Sequence, residues 1–156
     1  MFVMTTRVNK KKIIGLLAAA AGLIALLIIL FGGSDATATA APSVATNDGR
    51  VQFLKDFGWE VAASPVESGQ VRIPETSSEV FDRYNALQKS QGYDLSKYAG
   101  KTVMRFVYKI SNYPGATDPV LATLLVYKDQ VIGGDVTDTA AKGVVRSFKM
   151  PDAPQS

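Results

Sequence analysis

Residues Val120–Val136 read VLATLLVYKDQVIGGDV, and they decide the fold. Val120–Tyr127 is almost continuously apolar and rich in β-branched residues, as expected of a central strand covered on both faces. Lys128-Asp129-Gln130 marks a tight hairpin, and Val131–Val136 returns beside the first strand. Upstream, in Thr102–Ile110, Met104, Phe106, Tyr108 and Ile110 fall on one face. Arg105 and Lys109 fall on the other, the pattern of a half-buried strand. Asn112-Tyr113-Pro114-Gly115 is the turn between these strands.

Working toward the N-terminus, the spacing predicts a helix over about 77–91. Thr76 and Glu79 stand at capping-box spacing, Val80, Phe81, Tyr84 and Leu87 share a face, and Gly92 supplies the stop. Glu79 and Arg83 form an i,i+4 pair on another face. A shorter helix is expected over about 49–57, capped by Asn47 or Asp48, with Gly58 at C′ and Trp59 folded back on Leu54. Trp59–Ala63 alternates like a strand until Ser64-Pro65, and Val71–Ile73 is a second short strand stopped by Pro74. Residues 137–148 read as a short helix or an irregular cap. Strands and helices without regular βαβ alternation predict an α+β fold, an antiparallel sheet packed with one long and one short helix.

The domain so defined runs over 47–150, about a hundred residues, enough for one hydrophobic core. Residues 151–156 are a tail. In front stands the uncharged run Ile13–Phe31, 19 residues preceded by Arg7, Lys10, Lys11 and Lys12. As a helix it reaches roughly 28 Å, near the ~30 Å hydrocarbon core of a bilayer. The basic flank 1–12 is expected in the cytoplasm and the remainder outside, by the positive-inside bias. Residues 13–31 are thus read as a single-pass transmembrane helix with the lipid bilayer as partner. Ala18–Ala21 with Gly15 and Gly22 offers a small-residue face for helix association. The rival reading is a cleaved signal peptide and a secreted domain, with Ala36-Thr37-Ala38 and Ala38-Thr39-Ala40 as A-x-A sites. Residues 32–46, rich in Gly, Ser, Ala, Thr and Pro, form a flexible linker spanning roughly 20 Å r.m.s..

Composition excludes several chemistries. The chain has no cysteine and no histidine. A Ser-His-Asp triad, a Cys-His dyad, a Cys/His zinc site, imidazole pH sensing and lipidation at cysteine are all ruled out. An exported domain without disulfides fits a bacterial surface. Setting aside the four positive charges of residues 1–12 leaves 13 of the 17 basic residues against 14 acidic ones. That near-neutral balance carries no basic footprint for nucleic acid.

Several stretches resemble one family. They are Phe53-Leu54-Lys55-Asp56-Phe57-Gly58-Trp59-Glu60-Val61 and Val71-Arg72-Ile73-Pro74. The densest are Tyr84-Asn85-x-Leu87-Gln88-Lys89-x-x-Gly92-Tyr93-Asp94-Leu95 and Tyr98-x-Gly100-Lys101. Asn112-Tyr113-Pro114 and Val131-Ile132-Gly133-Gly134-Asp135-Val136 complete the set. Together they are similar to the small exported proteins of anaerobic Firmicutes grouped as domain of unknown function 4830. The resemblance implies an N-terminal hydrophobic segment and the extent of the domain. It carries no assigned activity and no catalytic residue. A cysteine often follows the Gly-Gly-Asp-Val motif in that family; here Thr137-Asp138 follows, so no thiol role transfers.

Six residues make up the candidate binding surface: Tyr93, Tyr98, Tyr113, Gly133, Gly134 and Asp135. The tyrosines fall in expected loops, where they either bind peptide or glycan or pin the loops to the core. Gly133-Gly134-Asp135 reads as an anion nest beside a carboxylate, or as a bulge where a strand packs closely on another element. Asp135 and Asp138 form a candidate acid pair for a small carboxylate-dependent envelope hydrolase. No cofactor or metal is implied. The leading expectation is a non-catalytic binding or interaction module for an extracytoplasmic protein or envelope ligand. The alternatives are that hydrolase and a structural accessory of an envelope complex.

Overall fold

A computed structural model describes residues 43–152. The segment expected to span the membrane (13–31), its basic flank (1–12), linker residues 32–42 and the last four residues lie outside the described ones. Among the described residues, no helix is long and apolar enough to cross a membrane.

The elements are α1 (Asn47–Asp56), β1 (Glu67–Arg72), α2 (Glu79–Ser90), a short 3-10 helix (Leu95–Tyr98), β2 (Thr102–Ile110), β3 (Val120–Tyr127), β4 (Gln130–Asp138) and β5 (Val145–Arg146). The five strands form one antiparallel sheet in chain order. The α+β reading holds, with two helices on an antiparallel sheet. Lys128 and Asp129, at φ 46° and 63°, form the two-residue turn between β3 and β4. Positive φ at both centres is the type I′ geometry that matches strand twist.

Both helices end as the glycines require. Gly58 (φ 90°) and Gly92 (φ 87°) occupy C′. The Trp59 N–H reaches the Leu54 carbonyl at 3.2 Å, and the Tyr93 N–H reaches Gln88 at 3.0 Å, closing two Schellman motifs. The starts differ from expectation. Thr46 caps α1, accepting from the Gly49 N–H at 3.1 Å, and Ser78 caps α2, accepting from Phe81 at 3.1 Å. The Thr76–Glu79 capping box is not used, because the helix begins two residues later than expected.

The buried stripe of α2 is rotated from the one expected. Val80 is 78% exposed, whereas Asn85 and Gln88 are buried beside half-buried Phe81 and Tyr84. The strand expected over Trp59–Ala63 reduces to one bridge, Val61 to Ile110. Pro65 has no N–H to offer, so pairing with β2 resumes only at Val66. β1 then starts at Glu67, earlier than the expected Val71. β2 is not a one-sided strand either, since Val103 and Val107 are buried on the face that carries Arg105.

The sheet separates two apolar clusters. On one face Leu54, Trp59 and Phe148 pack on Tyr108, Ile110, Ala122, Leu124 and Val136. On the other, Ile73 and Leu95 pack on Val103, Leu125 and Ile132, with Phe81 and Tyr84 of α2 alongside. A register shift between Leu125 and Val126 leaves Ile132 as the extra residue of β4. The alternation of β4 therefore restarts at Gly133 and sets which face each following residue meets.

Candidate functional site

Gly133 and Gly134 lie where β4 is gripped from both sides. A Cβ on Gly133 would stand 2.9 Å from Gln88 Oε1 and 3.1 Å from Leu95. One on Gly134 would run into the Thr123 carbonyl oxygen and the Phe148 ring. The Gly134 N–H donates to Gln88 Oε1 at 2.8 Å, and the Gly134 carbonyl accepts from Gln91 Nε2 at 3.1 Å. Both polar groups of that residue are thus bonded within the fold. Gln88 is fully buried, and its Nε2 finds no partner among the described residues.

The next residue, Asp135, sits opposite Thr123 of β3 and faces α2. It is 6% exposed. Its Oδ2 accepts from the Tyr84 hydroxyl at 2.7 Å and its Oδ1 from Thr137 Oγ1 at 2.7 Å. Burial pushes the Asp135 carboxyl above the usual aspartate range, against the pull of those two hydrogen bonds and of the Arg105 charge. Burial, followed by the neighbouring carboxylate, likewise raises the Tyr84 hydroxyl. Arg105 itself bonds Glu67 across the β1–β2 pair.

These groups floor an open cleft of about 360 Å³ between the sheet, α2 and the end of β1. Tyr84, Arg105, Thr123, Asp135 and Thr137 supply the polar part; Val71, Ile73, Phe81, Leu95 and Leu125 supply the apolar walls. Among the described residues no second carboxylate lines it. Asp138 is three residues along a regular stretch of β4, so it points to the opposite face, where it accepts from the Ala140 N–H at 3.0 Å. No group of three or more Asp or Glu among the described residues is placed to hold a metal ion.

The three tyrosines are placed apart. Tyr113 stacks on Trp59, centroids 5.8 Å apart and 3° from parallel. Tyr93 packs against the same α1-side cluster, and burial raises its hydroxyl. Tyr98 meets Tyr127 edge-on at 5.5 Å on the α2 side of the sheet. Of the six candidate residues, Gly133, Gly134 and Asp135 are neighbours, and only Asp135 lines the cleft.

Tyr84, Arg105, Thr123 and Thr137 were not singled out by sequence reasoning. Tyr84 reads as one more member of an apolar helix stripe, and Arg105 as the polar side of a strand. The available signal was parity: Arg105 alternates with Met104 and Phe106, so it must share a face with whatever β3 and β4 present there.

The model of the family described as Domain of unknown function (DUF4830) matches residues 53–136. The chain belongs to this family. The match runs from within α1 to Val136 in β4, and so covers Tyr84, Arg105, Thr123 and Asp135 of the DUF4830 cleft. No curated protein and no solved structure matches the chain.

Proposed function

We propose that this DUF4830 chain is a non-catalytic binding module, held on the outer face of a bacterial cytoplasmic membrane by residues 13–31, with its ligand in the Asp135 cleft. The observation that carries the reading is the lone carboxylate. Asp135 is hydrogen-bonded by two hydroxyls and, among the described residues, shares its cleft with no second acid. Glycoside chemistry needs two carboxyl groups roughly 5–10 Å apart. A mostly apolar cleft with a few convergent polar groups is instead the usual make-up of a ligand site. Tethering follows from the uncharged run and its basic flank, which orient a single span with the domain outside.

Two measurements in cells test this. Protease added to intact protoplasts should remove a C-terminal tag; a tag protected until lysis would overturn the orientation. A photoreactive residue at Val71, on the cleft wall, should give a discrete adduct in intact cells. The same residue at exposed Lys55 on α1 should not. Equal labelling from both positions, or none from Val71, would refute the cleft as the binding site.

A further inference from the structure

Asp135 is a buried carboxylate to which no cation among the described residues is directly bonded. Each oxygen takes one hydroxyl, from Tyr84 or Thr137, and a carboxylate has room for more. Arg105 is near enough for its charge to act on Asp135, yet its guanidinium is bonded to Glu67. A buried charge is costly unless paired, so the fold carries an electrostatic deficit that opens onto a cleft.

We propose that the cleft binds a primary ammonium on a short aliphatic stem, with the ammonium against Asp135 and the methylenes along Val71, Ile73, Leu95 and Leu125. This rests on the reading of the cleft as the binding site. The ammonium supplies three donors and the missing positive charge. Phe81 and Tyr84 add aromatic faces, which attract a cation within about 6 Å of a ring. A volume of about 360 Å³ suits a small group and excludes a bulky one. The Glu67 carboxylate bonded to Arg105 offsets part of the positive charge that would repel the ligand. The same chemistry is offered by a free alkylamine and by a lysine side chain of a peptide.

The test uses the purified full-length chain in detergent, with its six tyrosines labelled as fluorotyrosine and the Tyr84 resonance assigned through Tyr84→Phe. Tyr84 bonds Asp135 directly, so its ¹⁹F shift reports arrival at the carboxylate. Pentylammonium and Nα-acetyl-lysine methylamide are titrated beside pentanol and hexanoate. The ammonium probes should move the Tyr84 resonance saturably, at concentrations at least tenfold below those needed for pentanol or hexanoate. A tighter response to the lysine derivative points to a peptide ligand, and one to pentylammonium to a free amine; both support the ammonium. Asp135→Asn should weaken the ammonium probes at least tenfold and leave pentanol unchanged, with the other five resonances reporting an intact fold. Pentanol or hexanoate matching pentylammonium would overturn the ammonium assignment while leaving the cleft a binding site. A Tyr84 resonance that no probe moves would overturn both. The comparison of probes on the unsubstituted chain stands whatever the variant does.

Discussion

Gly134→Ala should be among the most damaging single-methyl changes available to this fold. The added Cβ meets the Thr123 carbonyl oxygen and the Phe148 ring. The first obstacle is main chain held by ladders on both sides, in register with Val107 of β2 and Asp135 of β4. It cannot yield without breaking the sheet. The second is a fully buried ring packed at 5.4 Å against both Phe53 of α1 and Phe57 just after it. Gly134 also adopts φ 155°, which side-chain-bearing residues rarely take. Overpacking costs about 1–3 kcal/mol and a sparsely populated backbone conformation about 1–3 more. If Phe148 moves, its carbonyl leaves Trp59 Nε1, now bonded at 2.6 Å, and a buried donor is orphaned for a further 1–3 kcal/mol or so. The sum, roughly 3–9 kcal/mol, is a large part of the 5–15 kcal/mol or so expected of a domain this size. The control is Gly69→Ala in β1, where a Cβ meets nothing within 4 Å. It should be neutral or slightly stabilising, because alanine costs less backbone entropy. Urea unfolding followed by Trp59 fluorescence compares the two. A Gly134→Ala midpoint close to that of Gly69→Ala would refute the packing argument.

Trp59→Ala removes a buried ring and should cost about 3–5 kcal/mol, whereas Trp59→Phe keeps an aromatic on Tyr113 but orphans the Phe148 carbonyl, for about 1–3 kcal/mol; both are read by circular dichroism in urea, and a neutral Trp59→Ala would mean the ring is not core. Arg50→Met strips the guanidinium that donates to Tyr108 Oη and to the Val44 and Ala45 carbonyls at 2.9 Å and stacks 3.7 Å over Phe106. It should lower stability by about 2 kcal/mol and loosen residues 43–46, seen as faster amide exchange there; unchanged exchange would refute the clamp. Asp135→Asn should change stability with a pH dependence of definite sign. A carboxyl whose folded pKa lies above its unfolded value contributes stability below about pH 3.8, and loses it as pH rises through the folded value. The groups facing it, Tyr84 and Arg105, are the same in both proteins, and so is Asp94, which Ser96 and Asn85 pull down to about 2 with the opposite sign. The unfolding midpoint of the variant relative to the parent should therefore rise between pH 3 and pH 7, and a flat or falling difference would sink the reading.

What the sequence disclosed was local chemistry with few alternatives. The Tyr127–Gln130 hairpin follows from β-branched apolar runs around a turn, and Gly58 and Gly92 stop helices wherever a left-handed residue is needed. What it concealed were polar residues buried because distant partners satisfy them. Asn85 is turned inward to accept from the Leu95 N–H at 2.8 Å and donate to Asp94 at 3.0 Å. Gln88 is turned inward to hold the Gly134 N–H, and Arg50 to hold Tyr108 and the chain before α1. Amphipathic spacing scores each as outward-facing, so the rotation of α2 and the burial of Arg50 are invisible to it. Phe148 was hidden for a related reason. It stands in an aperiodic stretch, and its place is fixed by the absence of a side chain at Gly134. The cleft shares this property, since Tyr84 and Asp135 lie 51 positions apart in the chain and meet only through the sheet.

The two faces of the sheet have been filled by different rules, and the difference bears on function. Against α1, Leu54, Trp59, Phe148, Leu124 and Val136 close the core with almost no exposed surface. Against α2 the same strands leave a cleft, and the residue at its floor is a carboxylate rather than the valine or isoleucine that a buried β4 position would favour for stability. Structural necessity does not account for it: Tyr84 and Thr137 donate to Asp135, but hydroxyls can turn to other acceptors or to water, whereas no cation among the described residues is bonded to the carboxylate, the nearby Arg105 being paired with Glu67. If Asp135 lowers stability while standing at the floor of the cleft, that is the trade of stability for ligand binding which the proposed site predicts. The two measurements on Asp135→Asn are therefore worth more together than apart. Higher stability at pH 7 with loss of ammonium binding identifies a carboxylate kept for its ligand. Lower stability with unchanged probe response identifies a carboxylate kept for the Tyr84 and Thr137 hydrogen bonds, and with it a cleft whose walls, not its charge, select what enters.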